Sequence, residues 1–419
     1  MGSGRGRAAV VALGCPKNRV DSEYILGALA QSGYELTSSL NDAELIVLTT
    51  CAFLGSAVKE SQEKIRELVR LKRQNPKMRL IVAGCLVARY GKGLKERYPL
   101  VDNWVGLNQL NEIPQMVDPC CQEQPPARVI STPSHYAYIK IADGCDNHCS
   151  YCLIPRIRGP FRSRRIEEIV LEAEALADLG VKELVLIAQD TSNYGKDIYG
   201  RPCLGRLIDR LSQIKGIRWL RLMYAYPKHL GEDVIEQFGS NPKLCRYIDL
   251  PIQHIADKIL ERMNRHYRRR DVERLLERLK MIPEMHIRTT IITGFPGEGE
   301  REFQELFDFI KRVQFDRLAG YEFSREPETK AGRMRGQVVP ELRRERLQAI
   351  MRAQAEISRA KLGSLIGRRL LVLADFPNEG RTEWDAPEID GRVVIKERVK
   401  PGGFVRLLIK DATVHDLVA

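Results

Sequence analysis

The chain has 419 residues, which is too long for one ordinary hydrophobic core, so two or three domains are expected. Its hydrophobic fraction of 43% and charged fraction of 29% are typical of a globular protein, and it contains no apolar run long enough to span a bilayer. The net charge of +12 allows an anionic partner such as RNA or a ribosome. Many arginines, however, alternate with glutamates as on solvated helix faces.

The N-terminal residues lack the apolar segment of a secretory signal, so a cytoplasmic location is expected. In that reducing compartment the ten cysteines are more often buried, metal-bound or catalytic than paired in disulfides.

Residues 6–118 contain three apolar runs, "AAVVALGC", "AELIVLTTC" and "RLIVAGC", which end in Cys15, Cys51 and Cys85. Amphipathic helical segments separate the runs, and this βαβαβ pattern predicts an N-terminal Rossmann-like parallel α/β domain. Taken singly, each cysteine would more often be a small buried residue. Because ligands of such sheets collect at the carboxyl ends of the strands, the three thiols could instead form one site.

A Pro-rich stretch predicts a linker over 119–134, where Cys120 and Cys121 have no ligand spacing. Six strand–helix units over 135–360 then predict a partial βα barrel, with its chemistry at the carboxyl ends of the strands. Short strands and turns over 361–419 predict a small antiparallel β-barrel. Cys203 and Cys245 fall outside any ligand pattern, and no ligand role is expected for them.

The stretch "GCDNHCSYC" follows the first predicted barrel strand and spaces Cys145, Cys149 and Cys152 as C-x3-C-x2-C. Thiolates suit zinc or an iron–sulfur cluster. A structural zinc site needs a fourth ligand, and the nearest candidate, His148, is crowded between two of the cysteines. The alternative is a 4Fe–4S cluster in which one iron has no protein ligand.

This motif, placed after a first barrel strand, resembles that of the radical S-adenosylmethionine (SAM) enzymes. In that superfamily SAM chelates the open iron and is cleaved to a 5′-deoxyadenosyl radical. The resemblance implies that Tyr151 lies beside the adenine and that Gln189 and Asp190, in "IAQD", meet the amino group of SAM. It also implies that Gly294 and Gly297, in "IITGFPGE", let the backbone approach the ligand. Ordinary βα-turn chemistry is the alternative for each loop.

The whole pattern resembles the methylthiotransferases through "LGCPKNRVDSE", the two cysteine sets, "GCDNHCSYCLIPRIRGPFRSR" and a terminal barrel of the TRAM type. The resemblance implies a second 4Fe–4S cluster, an auxiliary one, held by Cys15, Cys51 and Cys85. It also implies two SAM molecules, one as the methyl donor to sulfur on that cluster and one as the radical source. An electron donor such as flavodoxin or ferredoxin is implied as well.

Two branches of this family differ in substrate. "GCPKN", "DLPIQHIADKIL" with Gln253 and His254, and "DAPEIDG" resemble the RimO-like branch, which modifies the β-carbon of an aspartate in small-subunit ribosomal protein twelve, free or on the ribosome. Residues 365–419 carry nine Lys and Arg against nine Asp and Glu. A neutral barrel with the acidic segment "EWDAPEID" suits a basic ribosomal protein better than RNA, although the segment could also be a solvated loop. The alternatives are a MiaB-like tRNA adenosine methylthiotransferase and, outside the enzymes, an RNA-binding protein with structural metal sites.

Overall fold

The computed structural model describes residues 6–117 and 128–419. Cys120 and Cys121 therefore lie outside the described residues. Two compact units make up the fold: Met1–Thr132 with Cys152–Pro160, and Pro133–Tyr151 with Phe161–Ala419. No helix in the described ranges combines the length and the apolarity needed to cross a bilayer.

The first unit is a parallel α/β domain. Its strands are β1 (Arg7–Ala12), β2 (Glu35–Leu36), β3 (Leu45–Thr50), β4 (Arg79–Gly84) and β5 (Asn103–Val105). Its helices are α1 (Pro16–Gln31), α2 (Gly55–Gln74), α3 (Cys85–Arg97), α4 (Ile113–Val117) and α5 (Ile154–Ile157). The sheet order is β2, β1, β3, β4, β5, and all neighbouring strands are parallel. The predicted Rossmann-like pattern is confirmed.

The central strand β3 is buried along its whole length. Ile46 and Leu48 belong to one core cluster, which includes residues of α2 and α3, while Leu45 and Val47 belong to a second cluster with residues of α1 and α4. A strand covered on both faces is mainly apolar, which explains why the residues "LIVL" of β3 do not alternate with polar residues. The helices on both faces leave the edge at the strand ends as the place for function.

Residues 128–132 of the predicted linker belong to this unit. Arg128 donates to the Glu23 carboxylate of α1 at 2.9 Å, and the Ser131 backbone N–H donates to the same carboxylate at 2.8 Å. Glu23 is fully buried. Arg128 and Ser131 are therefore hydrogen-bonded to α1, and the predicted domain boundaries stay predictions.

The second unit contains the predicted partial barrel. Its strands are β6 (Tyr136–Lys140), β9 (Glu183–Ile187), β10 (Trp219–Leu222), β11 (Leu244–Asp249), β12 (His286–Thr293) and β13 (Arg317–Glu322), with a small antiparallel pair β7 (Ala142–Asp143) and β8 (Arg162–Ser163). The six long strands are parallel and run in the order β13, β12, β11, β10, β9, β6. The predicted six-unit partial barrel is confirmed.

Helices connect and cover these strands. They are α6 (Ile166–Asp178), α7 (Lys196–Tyr199), α8 (Leu204–Ser212), α9 (Glu232–Ser240), α10 (Asp257–Arg262), α11 (Arg269–Lys280), α12 (Glu300–Val313), α13 (Lys330–Arg333) and α14 (Pro340–Gly363). Because each crossover returns the chain to a parallel strand, the carboxyl ends of all six strands share one edge.

The C-terminal residues form a third sheet. Its strands are β14 (Arg369–Phe376), β15 (Glu379–Arg381), β16 (Val393–Val394), β17 (Phe404–Leu408), β18 (Asp411–Ala412) and β19 (Leu417–Val418). They run in the order β17, β14, β15, β16, β19, β18. Every pair is antiparallel except β16 with β19, so the predicted antiparallel β domain is confirmed with one parallel exception.

The acidic segment "EWDAPEID" is hydrogen-bonded to three barrel strands, β6, β11 and β13. Its four carboxylates each accept a hydrogen bond from the barrel: Glu383 from the Arg246 backbone N–H, Asp385 from Arg317, Glu388 from the Tyr136 hydroxyl, and Asp390 from the Tyr247 hydroxyl. Asp385 is 3% exposed. The interpretation of this segment as a surface for a basic protein is therefore wrong, because its carboxylates bind the barrel itself.

A buried ionic network joins the same two parts of the second unit. Glu183, the first residue of β9, accepts from Arg221 at 2.7 Å and from Arg381 at 2.8 Å. Arg381 also donates to Asp375, whose other oxygen is 2.8 Å from His135 Nε2. Burial alone would raise the pKa of the Glu183 carboxyl, but the two guanidinium groups outweigh burial and lower that pKa. Paired charges therefore hold the C-terminal sheet at the end of the barrel opposite the loop that carries Cys145 and Cys149.

Candidate functional site: two sets of cysteines

Three cysteines lie at the carboxyl edge of the first sheet. Cys51 and Cys85 directly follow β3 and β4, and Cys15 follows the end of β1 by three residues. Because β1, β3 and β4 are adjacent and parallel, their carboxyl ends share one edge. The structure therefore places the three thiols at the same edge of the sheet.

Gly14 allows the first two of these cysteines to pack closely. Its φ is +94°, a conformation that glycine adopts without a steric penalty. A Cβ added to Gly14 would lie 2.7 Å from Cys51 Cβ and 3.1 Å from Cys51 Sγ. The loop that carries Cys15 can therefore approach Cys51 only because this residue has no side chain.

Two buried polar residues tie the strand ends to this set. Asn18 Nδ2 donates to the carbonyls of Leu13 at 2.9 Å and Thr50 at 3.0 Å. Asn18 Oδ1 accepts from Arg158 Nη2 at 2.5 Å, and the same nitrogen is 3.8 Å from Cys85 Sγ. A guanidinium group therefore lies beside the thiols, where it favours their ionised form.

Burial has the opposite effect on the same thiols. It raises the pKa of Cys85 to about 12, against the attraction of Arg158, and it also raises the pKa of Cys51. These two thiols are therefore protonated at neutral pH when no metal is bound, and metal binding would displace their protons. Cys15 immediately precedes α1 and Cys85 begins α3, so the positive ends of two helix dipoles favour the thiolates once formed.

The second set begins in the loop 144–151, which follows β6 and β7 in the second unit. Cys145 is buried, and burial raises the pKa of its thiol to about 11. Cys149 Sγ accepts a hydrogen bond from Arg265 Nη1 at 3.4 Å. Cys152 begins the stretch that belongs to the first unit. Cys145 and Cys149 therefore belong to the second unit, and Cys152 belongs to the first.

The loop 144–151 is fixed by one segment, Arg262–His266, which links α10 to α11. Four hydrogen bonds join them: Ser150 N–H to the Met263 carbonyl at 2.9 Å, Ser150 Oγ to the Arg262 carbonyl at 2.7 Å, Asn264 Nδ2 to the His148 carbonyl at 2.9 Å, and His266 Nε2 to the Asn147 carbonyl at 3.2 Å. His148 has a positive φ of 48° and uses its carbonyl in this contact. The backbone of the cysteine loop is therefore held before any ligand binds.

Gln189 and Asp190, expected to meet the amino group of SAM, lie after the end of β9 and beside the cysteine loop. Asp190 Oδ2 accepts from Asn147 Nδ2 at 2.8 Å and lies 2.7 Å from His229 Nδ1. The other carboxylate oxygen of Asp190 and both amide atoms of Gln189 are buried without a hydrogen-bond partner among the described residues. Buried polar atoms require partners, so this pair fits a polar ligand group such as an ammonium.

Gly294 and Gly297, expected to let the backbone approach SAM, both have positive φ angles, of 69° and 88°. A Cβ on Gly294 would collide with the Arg343 side chain, and a Cβ on Gly297 would lie 2.8 Å from Arg262 Nε. Packing within the protein therefore requires glycine at both positions, a reason that the sequence does not reveal. Their approach to a ligand stays a prediction.

Tyr151, expected beside the adenine, packs against the same loop. Its ring lies edge-on to Phe295, with centroids 6.3 Å apart, and its hydroxyl is 3.4 Å from Arg265 Nη1. Phe295 lies between the two glycines. The structure therefore brings together Tyr151 and the glycine loop after β12, as a shared ligand site requires.

The donor chemistry of both sets fits iron–sulfur clusters. None of the eight described cysteines forms a disulfide, and thiolates are the usual ligands of a 4Fe–4S cluster. In the described ranges, no group of three or more His, Cys, Asp or Glu side chains is arranged to hold a single metal ion. Cluster ligands each bind a different iron, so they do not need to meet at one point.

Comparisons with known proteins match the chain from end to end. Family models match "Uncharacterized protein family UPF0004" over 7–106, "Radical SAM superfamily" over 139–310 and "TRAM domain" over 366–419. The ribosomal protein uS12 methylthiotransferase RimO of Pelotomaculum thermopropionicum is 43% identical, over 98% of this chain and 98% of its own. Proteins of the same name from a Thermoanaerobacter species and from Clostridioides difficile are 41% and 40% identical, each over 98% of both chains.

The chain belongs to the RimO family of radical SAM methylthiotransferases.

Solved structures share the fold of this RimO-family chain at low sequence identity. The radical SAM methyltransferase TsrM from Kitasatospora setae is 15% identical, with a TM-score of 0.58 over 79% of this chain and 74% of its own. The cobalamin-dependent radical SAM enzyme OxsB is 12% identical, with a TM-score of 0.54 over 83% of this chain and 56% of its own. These similarities concern the fold alone.

Sequence reasoning missed three polar residues at the cysteine sets of this RimO-family chain: Asn18, Arg158 and Arg265. Asn18 is the last residue of "GCPKN", three residues after Cys15, and this short spacing at the start of a helix was the available signal. The two arginines follow no ligand spacing, and only the fold places them beside thiols. Cys203 and Cys245 are both buried, at 6% and 1% exposure, and lie outside the two sets.

Proposed function

We propose that the chain transfers a methylthio group to the β-carbon of an aspartate in ribosomal protein uS12. Family membership supports the reaction type, and the names of the relatives at 40–43% identity support the substrate. The observation that carries the proposal is the position of Cys15, Cys51 and Cys85 at one sheet edge. A radical SAM enzyme that only cleaves SAM has no need of such a second thiol set.

We infer two 4Fe–4S clusters, one held by Cys145, Cys149 and Cys152, and an auxiliary one held by the three thiols of the first sheet. When bound, the first supplies the electron that cleaves SAM, and the second supplies the site for the sulfur that is transferred. The electron would come from a small carrier such as flavodoxin or ferredoxin, in the cytoplasm where uS12 is made.

The residues around the first set would bind and orient SAM. Gln189 and Asp190 offer unpaired buried oxygens to its ammonium group, and Tyr151 offers a ring face or edge to its adenine. The hydrogen bonds from Asn147 and His229 fix the Asp190 carboxylate in advance. Groups that are fixed in advance lose little conformational freedom when SAM binds, and this favours its binding.

The test uses anaerobically reconstituted protein with SAM, a reductant and either uS12 or unmodified tRNA. We expect a gain of about 46 Da on a uS12 aspartate, the mass of SCH₃ less one hydrogen. The same gain on tRNA nucleosides alone would reject the uS12 substrate and favour the tRNA branch. Iron analysis should give about eight atoms per chain, four for each cluster, whereas bound zinc would favour an RNA-binding protein with structural metal sites.

Single substitutions separate the two thiol sets. Cys149→Ala should abolish 5′-deoxyadenosine formation, because it removes a ligand of the first cluster. Cys51→Ala should leave 5′-deoxyadenosine formation and abolish methylthio transfer. Cys203→Ala is the matched control, since this buried thiol lies outside both sets and should leave both products unchanged. Normal 5′-deoxyadenosine formation by Cys149→Ala would refute the assignment of the first set.

A further inference from the structure

Arg265 is a buried guanidinium group beside the cysteine loop. The residue is 8% exposed, and its Nη1 donates to Cys149 Sγ at 3.4 Å. Three oxygens accept its other hydrogen bonds: the Tyr267 hydroxyl at 2.7 Å, the Pro251 carbonyl at 2.8 Å and the Tyr151 hydroxyl at 3.4 Å. The group also stacks on the ring of Tyr226, 4.1 Å from its centroid. These contacts fix its position and direct one nitrogen at a thiol.

The charge of Arg265 has no carboxylate partner in the described part of the chain. Its hydrogen bonds go only to neutral oxygens and to the thiol, and the tyrosine rings around it are neutral as well. By contrast, the buried arginines Arg158, Arg221 and Arg381 each pair with a carboxylate. A buried unpaired cation costs several kcal/mol, so a fold that keeps one is expected to bind an anion beside it.

We propose that Arg265 is the counter-charge of the cluster held by Cys145, Cys149 and Cys152 and sets its reduction potential. This inference rests on the proposed assignment of that cluster. Three thiolates give a bound 4Fe–4S cluster a net negative charge, and one-electron reduction makes this charge larger by one. A fixed positive charge at a ligand sulfur stabilises the more negative state, so it raises the potential and eases reduction. Arg265 is thus a positioning residue that acts through Cys149.

The same electrostatic arrangement occurs at the first sheet, where Arg158 lies 3.8 Å from Cys85 Sγ. That guanidinium, however, also pairs with Asp21 at 3.3 Å. Its charge is therefore partly neutralised by the protein, whereas the charge of Arg265 is not. We therefore expect Arg265 to change the reduction potential of its cluster more than Arg158 changes that of the auxiliary cluster. The larger effect is thus at the cluster that receives the electron for SAM cleavage.

The test measures the potential of the first cluster alone. In the full chain, Cys15, Cys51 and Cys85 are replaced by Ala so that only one cluster assembles, and reduction is followed by electron paramagnetic resonance in a redox titration. Arg265→Gln should make reduction at least tenfold less favourable, a shift of about 59 mV to more negative potential for a one-electron couple. Arg265→Lys keeps the charge and should recover most of this shift.

Arg270→Gln is the matched control. It removes one positive charge from the same stretch of chain, but its side chain is 81% exposed and should leave the potential unchanged. Iron content and thermal unfolding are measured on every variant. If Arg265→Gln does not retain the cluster, recovery of the cluster and its potential by Arg265→Lys supports the role of charge, and loss in both variants overturns it.

Two negative results are distinguishable. If the background chain with native Arg265 assembles no cluster, the proposed site fails and the inference fails with it. If that chain assembles the cluster and Arg265→Gln has the same potential, the inference is overturned while the proposed function stands.

Discussion

At the residue scale, Gly14 controls how close two thiols can lie. Gly14→Ala should have two separate destabilising effects. The φ of Gly14 is +94°, and a Cβ added there would lie only 2.7 Å from Cys51 Cβ. The left-handed backbone costs about 1–2 kcal/mol of unfolding free energy for a residue with a side chain. In addition, Cys51 must move, so the auxiliary cluster should be lost. Iron and sulfide per chain, measured in a variant whose Cys145, Cys149 and Cys152 are Ala, report this loss.

Gly180→Ala separates the two costs. Gly180 has nearly the same φ, +93°, but nothing lies within 4 Å of its added Cβ. It should lose a similar unfolding free energy in urea and keep its full iron content. Equal iron content in Gly14→Ala and Gly180→Ala would show that crowding at Cys51 does not matter for the cluster.

At the element scale, the loop between β12 and α12 depends on one buried carboxylate. Glu298 is 4% exposed, and both of its oxygens lie 3.0 Å from the Gly294 backbone N–H. Arg346 donates to it at 2.9 Å, and His254 Nε2 lies 3.4 Å away. This carboxylate therefore holds the loop in the shape that presents its glycines and Phe295.

Glu298→Ala should consequently weaken SAM binding by roughly tenfold, about 1.4 kcal/mol, because the loop loses its anchor. Anaerobic calorimetric titration of cluster-loaded protein with SAM measures this change. Glu300→Ala is the control, since Glu300 pairs with the same Arg346 at 3.2 Å but has a side chain 77% exposed. Unchanged SAM affinity in Glu298→Ala would exclude the loop from the binding site.

The elements and their chemistry could be predicted from the sequence to different extents. Strands such as β3 are buried on both faces and therefore appear in the sequence as apolar runs. The ends of these strands could be predicted from the runs, and so could the position of Cys51 at the end of β3. The need for glycine at position 294 could not be predicted, because it comes from a contact with Arg343 of helix α14, which is distant in the sequence. The acidic segment was misinterpreted for the same reason: composition gives its charge but not its partners, of which Arg317 lies in a barrel strand.

At the scale of the whole molecule, the second unit includes both the barrel and the C-terminal sheet. Glu183 lies in a barrel strand, whereas Arg381 and Asp375 lie in the C-terminal sheet, and all three are buried. The segment "EWDAPEID" adds further bonds between the same parts. Two chain segments joined by buried charges are expected to unfold together, since separating them would expose each charge without its partner.

Arg381→Met should therefore destabilise the whole second unit. The change leaves the Glu183 and Asp375 carboxylates buried with one cation fewer, a cost of about 3–5 kcal/mol for breaking a buried pair. Adding Glu183→Gln should recover part of this loss, because it removes the uncompensated charge. Equilibrium unfolding in urea, followed by circular dichroism, measures both variants.

Arg392→Met is the control. The Arg392 side chain is 52% exposed and pairs at the surface with Glu379, so this variant should have the same unfolding free energy as the wild type. A wild-type C-terminal sheet that unfolds in its own earlier transition, unaffected by Arg381→Met, would contradict the coupling, because the buried charges would then not join the two parts.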